Sequence, residues 1–301
     1  MNSAFNYLSE KVANASFIES PFPHLLIKNF LSKEHFEEIV NDNQIHFEAL
    51  DSNDALYSKL LNEGYEIINN FPGCINNWED YKKNLLEKTY KIEGKPVEGY
   101  GMAFRLKNLQ NPLLKNLIEY LNGDEFKKTL HEKFSISQPT TIISAVQKYL
   151  TGYEISPHPD WQMKALTYLL NLNKNSGVDN EDVHTHLLKF KPEYQWISRF
   201  WQMNKKVNRN WVPWDYCESV VKTNENNSFL IFKPNDNPPT LHAIKLNYNH
   251  LSFQRTQVYG NLNYLYKTPL TNLTYRQVNK YRNRVDKPLN QLERKIAPFF
   301  K

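Results

Sequence analysis

The spacing of apolar positions changes near residue 140. Before it, apolar side chains recur with helical period. In "KEHFEEIV" (33–40), Phe36, Ile39 and Val40 fall on one face, and Ser32 stands at the N-cap. "DALYSKLLNEGYEIINNF" (54–71) and "NNWEDYKKNLLEKTYKI" (76–92) read as two further helices. Pro112 opens another at "PLLKNLIEYLN", which Gly123 separates from "DEFKKTLHEKF". Short strands are predicted at "PFPHLLIKNF" and "GYGMAFRL". From Thr140 onward, "TTIISAVQKYL", "MKALTYLLNL", "THLLKF", "SFLIFKP", "LHAIKL" and "LSFQRTQVYGNLNYLY" are β-branched and aromatic, with Asn, Pro, Gly and Asp between them. Strand after strand with turn punctuation predicts an antiparallel barrel or jelly roll, and the preceding helices would brace one of its sheets.

At 301 residues the chain is long enough for a substantial core. We expect a single α+β domain over 1–301. Residues 1–139 are mainly helical support, 140–267 form the strand core with an insertion at 174–227, and 268–301 form a helical tail. The two cysteines, Cys74 and Cys217, are too few for a disulfide framework or a cysteine zinc site, which suits a reducing compartment. The first twenty residues lack an apolar signal core and no long apolar run appears, so a cytoplasmic protein with no membrane partner is expected. Net charge is +5, from 37 basic and 32 acidic residues. The densest basic stretch, "YRQVNKYRNRVDKPLNQLERK", is interleaved with Asp286 and Glu293 and reads as a solvated helix, which argues against a nucleic-acid partner.

The chemistry concentrates at "QKYLTGYEISPHPDW" (147–161). His158 and Asp160 stand at i and i+2, so on a strand they share a face and aim an imidazole and a carboxylate at one point. Alone, that pair is equally a loop histidine and a turn aspartate beside Pro157 and Pro159. The same nominal pattern occurs at His35-Phe36-Glu37, where a helix turns the two side chains apart, and at His46-Phe47-Glu48, in a connector. Downstream, His242 opens the strand "LHAIKL", and Arg255 falls within the apolar stretch "LSFQRTQVYG", where a cation needs an anionic partner. Upstream, Tyr149 alternates with Gln147 on one face of a strand. His184 and His186 form another same-face pair without a third ligand. The segment 174–227 holds four tryptophans among several lysines and arginines, the composition of a folded cover or of a substrate pocket.

In their order and spacing, Tyr149, Gly152, His158, Asp160, His242 and Arg255 resemble the iron(II)/2-oxoglutarate-dependent oxygenases, in particular the prolyl 4-hydroxylase-like branch. "SPFPHLLIKNFLSKEHFEEIV" is similar to that family's entry strand and helix. The resemblance implies a double-stranded β-helix, or jelly roll, with an N-terminal helical layer. It implies Fe(II) held by His158, Asp160 and His242, which would be both metal ligands and catalytic residues. It further implies 2-oxoglutarate held by Arg255 and Tyr149, and ascorbate as a stimulant. Arg255 stands where prolyl hydroxylases commonly carry lysine, which leaves the substrate open. A small molecule, an amino acid or a peptide residue would be hydroxylated with succinate and CO2 as co-products, Gln147 and Trp161 contacting it. Desaturation or cyclisation by the same site, and a non-enzymatic cupin-like binding module, are the alternatives. The oligomeric state is not legible.

Overall fold

A computed structural model describes residues 4–68, 75–87, 101–160, 163–174, 183–203, 211–235, 237–246 and 250–265. The predicted tail, Cys74 and Trp161 lie outside these residues. Seven helices and eleven strands are described: α1 (Tyr7–Asn14), β1 (His24–Ile27), α2 (Lys33–Val40), α3 (Asn53–Asn62), β2 (Tyr65–Ile67), α4 (Trp78–Glu87), β3 (Ala103–Leu106), α5 (Pro112–Leu121), α6 (Asp124–Lys133), β4 (Thr140–Tyr149), β5 (Glu154–Pro159), β6 (Lys164–Asn171), β7 (Thr185–Phe190), α7 (Gln195–Met203), β8 (Cys217–Thr223), β9 (Phe229–Phe232), β10 (Leu241–Lys245) and β11 (Thr256–Tyr264).

Local chemistry sets the boundaries. Ser32 accepts a hydrogen bond from the His35 amide at 3.2 Å and starts α2. Asn111 accepts from the Leu114 amide at 3.0 Å, and Pro112 takes the first position of α5. One boundary departs from the sequence reading. The helix expected over 54–71 stops at Asn62, because Gly64 turns with φ +84° and Tyr65–Ile67 leave as a strand paired with Phe104–Leu106. Gly64 takes the left-handed conformation at little steric cost, and the Gln44 amide nitrogen donates to the Glu63 carbonyl at 2.7 Å.

All strand pairs are antiparallel. A seven-stranded sheet runs β1-β9-β6-β11-β4-β3-β2, and a four-stranded sheet runs β5-β10-β7-β8. Two of the smaller sheet's strands, β7 and β8, come from 174–227, so that segment is framework as well as connection. The outer face of the larger sheet carries the helices: Leu8, Ile39, Leu56, Leu117 and Phe126 share one apolar cluster with Val146, Leu166, Val258 and Leu262. A second cluster, with Phe22, Leu169, Leu187, Leu230 and Phe232, takes side chains from both sheets. A third sits outside the smaller sheet, where Ile197 and Trp201 of α7 cover Leu188, Phe190, Leu241 and Ala243.

Gly260, in the middle of β11, shows how tightly the outer face is packed. It lies opposite Ser144 on one side and Tyr168 on the other. The Tyr168 ring crosses over it, and its hydroxyl meets the Ser144 hydroxyl two strands away. A Cβ on Gly260 would sit 2.1 Å from Tyr168 Cε2. Gly260→Val is therefore expected to displace the ring and cost roughly 1–3 kcal/mol, read as a lower urea midpoint with an unchanged slope.

Candidate metal centre

The centre is built by strand register. β10 runs antiparallel to β5 with His242 directly opposite His158, so both imidazoles project from one face. Leu241 and Ala243 point the other way, into the cluster under α7, so that shared face is the inner one. Asp160 follows the last residue of β5, is 4% exposed, and returns its carboxylate to the same point. The imidazole centroids are 4.4 Å apart, His242 Nε2 lies 3.7 Å from Asp160 Oδ1, and one ligand atom from each of the three residues falls within 4.8 Å of the others. Among the described residues no other group of histidine, cysteine and carboxylate side chains meets in this way.

Hydrogen bonds set the tautomers. His158 Nδ1 lies 2.8 Å from the Ser156 carbonyl and His242 Nδ1 3.3 Å from the Thr240 carbonyl. A carbonyl only accepts, so each Nδ1 carries the hydrogen and each Nε2 keeps a lone pair for a metal. Charge states agree. Burial, with His242 alongside, lowers the His158 pKa to about 3, and burial also lowers that of His242. Burial pushes the Asp160 carboxyl upward, but the Lys164 ammonium and the neighbouring His242 outweigh it and hold the group well below the usual carboxylate range. At neutral pH the cluster offers two neutral imidazoles and one carboxylate, the donor set of a facial triad that suits Fe(II).

No family model and no curated protein matches this sequence. Among solved structures, the chain is similar to a prolyl 4-hydroxylase from Pseudomonas putida at 8% identity, covering 86% of this chain and 98% of that one with a TM-score of 0.40. It is also similar to a prolyl hydroxylase from Trichoplax adhaerens in complex with a hypoxia inducible factor oxygen degradation domain peptide fragment, at 12% identity, 86% and 90% coverage and a TM-score of 0.43. A third is a 2OG-Fe(II) oxygenase family oxidoreductase from Burkholderia pseudomallei, at 10% identity, 72% and 93% coverage and a TM-score of 0.32.

Next to the triad lies a second buried polar group. Arg255, 1% exposed, donates to Thr185 Oγ1 at 2.8 Å and stands 5.9 Å from the Tyr149 ring centroid. The Tyr149 hydroxyl donates to Gln147 Oε1 at 2.9 Å and accepts from the Gln257 amide. Thr185 is two residues before Leu187, the register partner of His242, so Arg255 is anchored roughly 7 Å along the sheet from that histidine. Arg255 was expected inside a strand; it instead directly precedes β11. From there it crosses to β7 of the smaller sheet rather than joining the ladder. A wall also comes from 174–227. The Val212 amide donates to the Pro157 carbonyl at 2.8 Å and sets the Trp211 ring 5.9 Å from that of His158.

Other sequence candidates resolve differently. His186 has its Nδ1 2.8 Å from Ser219 Oγ and packs edge-on against Trp214. His35 is tied to the Tyr7 hydroxyl at 3.0 Å. His46 does meet Glu48, at 3.3 Å, but that carboxylate side is 90% exposed and no third ligand joins them. Sequence reasoning missed Lys164, Thr167, Thr185, Trp211 and His250. For Lys164 the signal was present: a cation at the head of the apolar run "KALTYLLNL", the same argument that singled out Arg255. For Trp211 the signal was the tryptophan-rich composition of 174–227, which did not single it out among four; for Thr185 there was none, since only the fold brings it here.

His250 supports Tyr149 from behind, with Nδ1 3.0 Å from its carbonyl. Burial lowers its pKa to about 3, with the Tyr149 carbonyl opposing. The unfolded chain protonates this ring near 6.5, whereas the folded one refuses the proton until about 3. Its contribution is thus intact above pH 6.5 and lost as pH falls toward 3. We expect His250→Gln, which keeps a donor for the carbonyl, to flatten the acid side of the stability curve by on the order of 2 kcal/mol between about pH 6.5 and about pH 4.5, measured by urea titration at each pH.

Proposed function

We propose that the protein is an Fe(II)- and 2-oxoglutarate-dependent dioxygenase on a double-stranded β-helix with an N-terminal helical layer, acting on an unactivated C–H bond of a small molecule, an amino acid or a peptide residue. One observation carries this reading: two imidazoles with both Nδ1 atoms committed to carbonyls, and one carboxylate, converge between two sheets beside a buried arginine. The division of β4, β6, β9 and β11 into the larger sheet and β5, β7, β8 and β10 into the smaller one supports the fold assignment.

The residues divide the work. His158, Asp160 and His242 would hold Fe(II) on one side and leave adjacent positions open on the other. Arg255 would grip the distal carboxylate of 2-oxoglutarate as a forked, charge-assisted pair, with the Tyr149 hydroxyl beside it and Thr185 fixing the guanidinium. When bound, Fe(II) and 2-oxoglutarate supply dioxygen activation, with succinate and CO2 as co-products and one oxygen atom delivered to the substrate. Tyr149, Tyr153 and Ile155 line an apolar wall that excludes water from this region. Trp211 offers a flat surface beside His158 for the substrate, with Trp161 and Gln147 as further contacts. Ascorbate would sustain turnover by keeping the metal reduced.

The test is succinate formation by the purified chain with Fe(II), ascorbate and 2-oxoglutarate, followed by a metabolite and peptide screen scored by substrate-stimulated 2-oxoglutarate turnover. A dehydrogenated or cyclised product would keep the site and change the outcome; metal binding without succinate would favour a cupin-like module. His158→Ala, Asp160→Ala and His242→Ala are each expected to abolish turnover and weaken metal binding with the fold retained by circular dichroism. Arg255→Ala should raise the KM for 2-oxoglutarate by a factor corresponding to ~2–5 kcal/mol. Tyr149→Phe should cost less, about 0.5–3 kcal/mol for one hydrogen bond. An unchanged KM in Arg255→Ala would make the arginine structural.

A further inference from the structure

The carboxylate of the triad is already in contact with a cation. Lys164, the first residue of β6, places its Nζ 2.5 Å from Asp160 Oδ1 and 2.9 Å from the Tyr259 hydroxyl on β11. That oxygen is also the one 3.7 Å from His242 Nε2, so it faces the point where a metal would sit. The other oxygen, Oδ2, accepts from Thr167 Oγ1 at 2.5 Å. Asp160 is therefore held in orientation by Thr167 whether or not Lys164 is present. What Lys164 adds is charge: with neutral imidazoles, the triad and its lysine sum to zero rather than minus one.

We propose that Lys164 is a resident counter-ion of the metal-facing carboxylate, which stabilises the metal-free protein and sets a weak, exchangeable affinity for the divalent ion. The inference rests on the reading of His158, Asp160 and His242 as metal ligands and concerns how that site is loaded. An ammonium on the oxygen a metal must use opposes it twice, by occupying a lone-pair direction and by repelling a second positive charge in a buried, weakly screened setting. Tyr259 keeps the ammonium from withdrawing toward solvent. The protein would then fill with metal only in proportion to the free ion around it, and Lys164 would be a positioning residue that acts through Asp160.

Two substitutions separate charge from orientation. Lys164→Met removes both the charge and the donor; Lys164→Gln removes the charge and keeps a donor for Asp160. The probe is Co(II) alone, followed by its visible absorption and by calorimetry on the full chain without 2-oxoglutarate. Both variants are expected to bind Co(II) at least about tenfold more tightly than the unaltered protein. Their metal-free melting temperatures should be lower and the rise on adding Co(II) larger. Should either fold poorly without metal, Tyr259→Phe, which keeps Lys164 and loosens its anchor, should show a smaller tightening of the same sign. Weaker Co(II) binding in Lys164→Met with unchanged binding in Lys164→Gln would make Lys164 an orienting donor and overturn the proposal, as would unchanged affinity in all three. Absence of Co(II) binding in the unaltered protein would instead remove the metal centre itself.

Discussion

The register between β5 and β10 is the constraint on which the rest of the centre depends. Side chains along a strand alternate between faces, so a slip of one residue would send His158 or His242 out under α7 and bring Leu241 or Ala243 inside. The apolar cluster around Ile197 and Trp201 resists that slip, because Leu241 and Ala243 are packed into it and would lose that burial. Packing on the outside of the smaller sheet thus aligns the chemistry on the inside. The irregularity between His242 and Ile244 falls just beyond the paired histidines, where the strand changes course without disturbing them.

Between the sheets, buried polar groups stand beside the apolar cluster of Phe22, Leu169, Leu187, Leu230 and Phe232. Lys164 and Thr167 hold the triad's Asp160; beyond them come Arg255, Thr185, Tyr149, Gln147 and Gln257. Asp160 and Lys164 offset one another's charge, and Arg255 is met by the Thr185 hydroxyl and the Tyr149 ring. The apolar contribution to stability comes largely from elsewhere, from the helices packed on the outer face of the larger sheet. A core that is dry and apolar on one side of a sheet can support a reactive, polar space on the other.

Much of this was legible from residue order. Six of the seven described helices precede residue 140, where the period changes, and Ser32, Pro112 and Gly123 stand at the boundaries they imply, but α7 (Gln195–Met203) within 174–227 was not anticipated. The spacing places His158 and Asp160 on one face, whereas their grouping with His242, and that of Arg255 with Tyr149, comes from the resemblance; the side chains of each group lie together. What failed was local. The run 54–71 has apolar residues that fit a helix throughout, and only the left-handed turn at Gly64, with pairing to Phe104–Leu106 far along the chain, takes Tyr65–Ile67 into a sheet. Arg255 sits amid apolar residues, yet the ladder of β11 begins one residue later. Thr185 reaches the site through strand pairing, and Trp211 beside a backbone hydrogen bond from Val212 to Pro157, relations between distant segments that leave no trace in the spacing of either.

The attachment of Trp211 has an evolutionary side. The ligand-bearing residues belong to β5, the residue after it, and β10, whereas the indole beside them arrives on the connection between β7 and β8, whose Val212 makes a backbone bond to Pro157. A main-chain contact is indifferent to side-chain identity. Residues at the wall could be exchanged, and the connection lengthened or shortened, without asking the metal-facing strands to change. Under the proposed function, selection on the substrate and on the reaction would act on different stretches of chain, and a lineage with this architecture could vary its target faster than its chemistry.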